Sequence, residues 1–169
     1  MSVTVRRAIP EDVPFLVGLV THEDFAPYFA SIRASTEEEV AAEVARSLAE
    51  PEDFGVMLFA VEGERAGTAS WERVNRRSGI ASVGAFAIDP AFRGRRLGDD
   101  AARVLQRHLI RELGLHRLQM EIYAFNERAL AHAERAGWVR EGVRRKAYRR
   151  DDEWVDGILF GLVAEDLEP

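Results

Sequence analysis

The residues with the plainest chemical purpose lie between Asp89 and Asp100, where the chain reads Asp89-Pro-Ala-Phe-Arg-Gly-Arg-Arg-Leu-Gly-Asp-Asp100. Arg93, Gly94, Arg95, Arg96 and Gly98 stand between an apolar run, residues 80–88, and a stretch whose Ala102, Val104, Leu105, Leu109, Ile110 and Leu113 recur at helical spacing. Strand, basic glycine turn and helix start, in that order, make an anion site. The first N–H groups of a helix have no intrahelical partner and carry partial positive charge, so glycines that let the backbone close on a phosphate, flanked by arginines, form a diphosphate cradle. The spacing is not that of a nucleoside-triphosphate loop, since Gly94 and Gly98 are too close and no lysine follows. Nor is there a Gly-x-Gly-x-x-Gly dinucleotide turn.

The elements that must position this turn can be read from the rest of the chain. A length of 169 residues, 47% of them hydrophobic and 31% charged, predicts one domain over 1–169 with a single core. Residues 3–9 read as a first strand, closed by Pro10, and Val13, Leu16, Val17 and Val20 as a first helix. Residues 21–34, with His22, Phe25, Tyr28 and Phe29, form an irregular connection. A capping box, Ser35-x-x-Glu38, predicts a second helix that runs to Pro51. The period then shortens to that of strands at 54–61, 68–74 and 80–88, with a hairpin turn at 62–67. After the basic turn come a helix ending at Gly114, an alternating strand at 116–125, a short helix at 127–136 and two closing strands near 138–148 and 154–163. The strand at 116–125 follows a single crossover helix, so it is expected to run parallel to the strand at 80–88. The element order predicts an α/β (α+β) fold, a mixed and mostly antiparallel sheet of about seven strands with helices on both faces.

Bulk properties narrow the function. With no cysteine, the chain has no disulfide, thiolate metal ligand or cysteine nucleophile, and no metal site is expected. A net charge of −6 argues against a nucleic-acid binder. No run is long enough to cross a bilayer, and Met-Ser-Val-Thr-Val-Arg-Arg at the start lacks the apolar core of a signal peptide, which predicts a cytoplasmic protein without membrane attachment. The basic stretch Arg140, Arg144, Arg145, Lys146, Arg149 and Arg150 reads as an edge strand or a subunit interface, which leaves a homodimer open.

The basic turn resembles the coenzyme A loop of the GCN5-related N-acetyltransferases (GNAT), Arg/Gln-x-x-Gly-x-Gly/Ala, with Arg93 and Gly98 at its ends and Arg96 replacing the middle glycine. A second block resembles the same family: Asn126-x-x-Ala129, then Gly137-Trp138, then Glu141-Gly142. The ending, Arg145 and Asp156 on the last two strands, is similar to the RimJ/RimL-like and spermidine acetyltransferase branch. The resemblance implies the acyl-CoA N-acyltransferase fold and acetyl-CoA as cosubstrate. It also implies an acetyl transfer to a primary amine, whether a protein N-terminus, a polyamine or another small amine, by direct attack in a ternary complex. By the same resemblance the main chain of Phe86, Ala87 and Ile88 bonds the pantetheine arm, Arg93, Gly94, Arg95, Arg96, Gly98 and Asp99 hold the diphosphate, and Asn126 joins the coenzyme site.

The chemistry beyond coenzyme binding is written less fully. A primary ammonium with a pKa of about 10.4 must lose a proton before it can attack a thioester. Several relatives keep a glutamate where Ser82 stands, so Glu72 and Glu121 are the candidate bases. A tyrosine that protonates the leaving thiolate in many relatives is replaced by Ala133, so Tyr123 and His132 are the candidate acids. These departures, with Arg96 and the paired Asp99 and Asp100, motivate the alternative of a coenzyme-binding module of the same fold without turnover.

Overall fold

Strand β2 (Phe54–Val61) is buried along nearly its whole length because both of its faces are covered. The computed structural model describes residues 2–29, 34–94 and 96–167, so Arg95 lies outside the described residues. Phe54, Val56 and Leu58 on one face of β2 pack in a cluster with Leu16 of α1 (Val13–Val20) and Val40 and Val44 of α2 (Glu37–Ala49). On the other face Met57, Phe59 and Val61 join Leu97, Ala101, Leu105 and Leu109, carried by α3 (Leu97–Arg107) and the π-helical turn His108–Glu112 that continues it. Burying such apolar faces, at roughly 25 cal/mol per Å2, is what holds the layers together.

A seven-stranded sheet in the order β1-β2-β3-β4-β5-β7-β6 forms the middle layer, with β1 (Val3–Arg7), β3 (Glu64–Asn75), β4 (Ile80–Ile88), β5 (Arg117–Tyr123), β6 (Val139–Arg150) and β7 (Glu153–Val163). Helix α4 (Glu127–Arg135) lies between β5 and β6 in the chain and sends Ala133 into the α3 cluster. All neighbours pair antiparallel except β4 and β5. The sheet is thus mixed and mostly antiparallel, as the element order predicts.

Several boundaries differ from the sequence reading, each for a local reason. The capping box falls one residue later: Thr36 Oγ1 accepts from Glu39 N, and Glu39 Oε2 accepts from the N–H groups of Thr36 and Ser35. The β2–β3 turn needs only Glu62 and Gly63, both at positive φ (51° and 85°), so β3 begins at Glu64 rather than 68. The first strand stops at Arg7 instead of Ile9, because the Asp12 carboxylate takes the Ile9 N–H and Asp12 N returns to the Ile9 carbonyl.

Two irregularities shape the centre. Strands β4 and β5 are in register only over Ile80–Arg117, Ala81–Leu118 and Ser82–Gln119, and then part. Three residues later β4 carries a bulge, where Ala85 takes φ 49° and the β3 register slips between Thr68 and Ser70. A bulge bends its strand and sharpens the local twist, and here it lies at the parting of the sheet.

Candidate active site

The parted strands open a cleft of about 1250 Å3. Its walls include Ser82 to Ile88 of β4, the loop residues Arg93, Gly94 and Arg96, the start of α3, Gln119 and Glu121 of β5, and Asn126, Ala129 and His132 at α4. Gln119 Nε2 donates to Ser82 Oγ at 3.3 Å and closes the cleft where the strands separate. Beyond that point β4 has no register partner on its β5 side. This leaves an edge of main-chain donors and acceptors to which an extended ligand can add as a strand does.

At the loop, Asp89 Oδ1 caps a 3-10 turn, Pro90–Phe92, by accepting from Ala91 N at 2.8 Å. Gly94 and Arg96 then take positive φ values of 83° and 55°. The left-handed turn at Arg96 is the conformation that a glycine would adopt at least cost. Its side chain is exposed, so it does not fill the cradle. Helix α3 starts at once, and Asp99 N and Asp100 N both reach the Arg96 carbonyl, at 3.1 and 3.3 Å. The N–H groups of Leu97 and Gly98 precede them at the positive end of the helix.

Two charges near the cradle are already partnered. The Asp99 side chain turns away from the loop to Arg135, which donates to it at 3.2 and 3.4 Å, and lies 3.4 Å from His132 Nε2. Burial dominates at His132 and pushes its pKa down, against the Gly98 main chain and Asp99, which favour the charged ring. Arg93 Nη1 sits 2.6 Å from Asp24 Oδ2, and its guanidinium lies 5.3 Å from the centre of the Phe25 ring. Phe86 packs its ring on Phe59 and His132, at centroid distances of 5.4 and 5.1 Å.

Of the two candidate bases, only Glu121 lines the cleft. Glu72 pairs with Arg46 of α2 at 2.8 Å and is about half exposed. Glu121 lies over Gly157 of β7, where a methyl group would come within 2.0 Å of its Oε1. Its Oε2 accepts a hydrogen bond from Tyr148 Oη at 2.5 Å. Its Oε1 is sealed from bulk water and accepts no hydrogen bond, with Arg144 Nε 3.5 Å away. Burial, then the bond to Glu121, raises the Tyr148 pKa to about 12. Tyr123 is buried beside this group, stacked on Phe125 at 5.2 Å and edge-on to Tyr148 at 5.2 Å. It is not among the lining residues of the cleft. Asn126 lines the cleft while its side chain accepts from Ala129 N at 3.2 Å to cap α4.

Tyr148 and Arg144 are the residues that sequence reasoning missed as partners of Glu121. Both belong to β6, where the register slips between Arg144 and Tyr148 around Lys146 at φ 46°. The Lys146 N–H donates to Asp156 Oδ1 at 2.7 Å, which fixes this bulge. The only available signal was the Arg and Asp pair of the last two strands, and it marks the bulge rather than the tyrosine.

The residues fit coenzyme A on two counts: an unpaired strand edge, and a loop whose left-handed turns bring backbone to the helix start. The acetyltransferase (GNAT) domain family matches residues 2–139. The chain belongs to this family, and it is an acetyl-CoA-dependent N-acetyltransferase with the acyl-CoA N-acyltransferase fold. The probable N-acetyltransferase YjcK of Bacillus subtilis is 24% identical, with 99% of this chain and 97% of that one aligned. The Escherichia coli [ribosomal protein uS5]-alanine N-acetyltransferase is 27% identical over 64% of this chain and 56% of its own. Among solved structures, a RimL ribosomal L7/L12 alpha-N-protein acetyltransferase with coenzyme A superposes with a TM-score of 0.84 at 19% identity, covering 98% of this chain and 96% of that one. A Vibrio cholerae spermidine N-acetyltransferase with coenzyme A and spermine gives 0.86 at 14% identity, covering 98% and 97%. The reading as a module without turnover finds no support in these relatives. Among the described residues no helix is long and apolar enough to cross a membrane.

Proposed function

We propose that this enzyme acetylates a primary amine, a protein N-terminus, a polyamine or another small amine, by direct attack in a ternary complex, with Glu121 as the general base. Bound acetyl-CoA supplies the thioester carbon that the amine attacks. The observation that carries the reading is the Glu121 carboxylate, which lines the cleft with one oxygen held by Tyr148 and the other 3.5 Å from Arg144 Nε. A carboxylate so placed takes up a proton from the incoming ammonium, directly or through a water, and the freed amine lone pair then attacks the thioester carbon. The freed edge of β4 at Phe86, Ala87 and Ile88 supplies main-chain groups to the arm of the coenzyme and an N–H toward the oxygen on which charge develops. Leu97, Gly98 and the loop arginines take the diphosphate, with Arg93 exchanging Asp24 for it. Asp99 serves from behind, through Arg135. The leaving thiol, with an unperturbed pKa near 8.5, departs without a dedicated acid.

The test is thiol release from acetyl-CoA with a panel that includes spermidine and a peptide starting with alanine. Acceptor-dependent release is expected for at least one class. Glu121→Gln should lower kcat by about 100-fold while coenzyme affinity in calorimetry stays the same, and Glu72→Gln should leave both unchanged. Wild-type turnover in Glu121→Gln would place the base elsewhere. We place the reaction in the cytoplasm, in keeping with the ribosomal substrate named for the Escherichia coli relative.

A further inference from the structure

Resting on Glu121 as the base, we infer that Tyr148 is its positioning residue, and that the β6 bulge clamped by Asp156 exists to deliver that tyrosine.

The argument starts from the sheet. Glu121 sits on β5 and its cross-strand neighbours on β7 are Leu159, directly opposite, and Gly157, two pairs along and opposite Tyr123. Gly157 in turn faces Arg144 of β6. A regular β6 would place residue 146 opposite Val155, but Tyr148 holds that position. Two extra residues are taken up in the bulge, where Lys146 stands in the left-handed region and its N–H is held by Asp156. Side chains alternate along a strand, so Arg144 opposite Gly157 and Tyr148 opposite Val155 project from the same face. Between them is the space that Gly157 leaves bare, and Glu121 fills it. Without the bulge the lysine would take the place of the tyrosine.

Tyr148 does for Glu121 what an orienting group does for a catalytic base. As a hydroxyl donor at 2.5 Å it fixes one lone pair of Oε2 and, with Arg144 Nε 3.5 Å from Oε1, holds the plane of the carboxylate at the cleft. The charged and titratable groups around this carboxylate are Tyr148 and Arg144 from β6 and Tyr123 from its own strand, with Arg150 of β6 lying 5.4 Å from the centre of the Tyr123 ring. Burial and the bond to Glu121 keep the Tyr148 proton in place up to about pH 12. The phenol therefore stays a donor through the whole working range, and it transfers no proton itself.

Tyr148→Phe keeps the ring and its contacts and removes the donor. Hydrogen bonds to charged groups are worth enough to change rates by about 10- to 100-fold, and a loss of that size in kcat is expected, with coenzyme affinity unchanged. In a Glu121→Gln background the same change should add nothing, because the two side chains act as a unit. Additive losses in the double variant, or wild-type kcat in Tyr148→Phe beside an inactive Glu121→Gln, overturn the assignment. Full activity in Glu121→Gln overturns instead the base on which it rests.

Discussion

A methyl group at position 157 would lie 2.0 Å from Glu121 Oε1 and 2.8 Å from its carboxyl carbon, well inside van der Waals contact. The absence of a side chain there is therefore what lets the carboxylate lie across β7 and meet Tyr148. Gly161 repeats the device four residues on, where Glu141 lies over it and pairs with both terminal nitrogens of Arg117. At position 157 the device seats the proposed base. Gly157→Ala should push Glu121 off its seat and lower kcat by about 100-fold, the cost of roughly an ångström of misplacement, while coenzyme A binds as before. Steady-state kinetics beside calorimetry checks this, and normal kcat would mean that the carboxylate works from some other position. Sequence alone showed Glu121 as one of two strand glutamates. Nothing in it separated them, because what distinguishes Glu121 is a glycine on one non-adjacent strand and a tyrosine on another.

At the scale of elements, the sequence was most legible where burial is simplest. The strands 54–61 and 80–88 were read at the boundaries the structure gives, since an apolar run between turn residues has few alternatives. The parting of β4 from β5 after three register pairs was not legible, and neither were the bulges at Ala85 and Lys146. Non-glycine residues take positive φ there, so composition gives no hint. Asp12 is a third case. It is fully buried and ties β1 to β3, accepting from Arg6 at 2.7 and 3.0 Å, from Arg65 at 2.7 Å and from Ile9 N at 2.9 Å. Burial alone would raise its pKa, but the bonds from Arg6, Ile9 and Arg65 together outweigh it and hold the value at about 2. A carboxylate depressed below its unfolded value of about 3.9 contributes stability that is complete above that value and is lost as pH falls toward the folded one. The difference corresponds to about 2.5 kcal/mol. Asp12→Asn should lower stability by about that amount at neutral pH. Urea denaturation between pH 7 and 2 should also show the wild-type advantage over the variant disappearing below about pH 4, and a constant gap across that range would refute the linkage.

For the molecule as a whole, the cleft divides the sheet into β1 to β4 on one side and β5, β7 and β6 on the other. In the sheet the two parts are joined over three register pairs. The loop after β4 belongs to the first part and Glu121 to the second, so the proposed coenzyme site and the proposed base reside in different halves. Arg93 links the loop to the aromatic segment after α1 through Asp24 and Phe25, and Phe25 packs on Ala87 of β4. A ligand seated along β4 and the start of α3 adds contacts to an edge that has none. Coenzyme A at 100 times its dissociation constant should stabilise the fold by about 2.7 kcal/mol, which for a chain of this size means a rise in Tm of about 5–10 °C. Hydrogen exchange should locate that gain, slowing at the amides of residues 83–88 and at Leu97 and Gly98, with little change in β1 and β2. Because the base lies in the other half, Glu121→Gln should show the same rise and the same protection while turning over poorly. A thermal shift without protection on β4 would put the coenzyme somewhere other than the parted strands, and loss of the shift in Glu121→Gln would show that the two halves do not divide the work in this way.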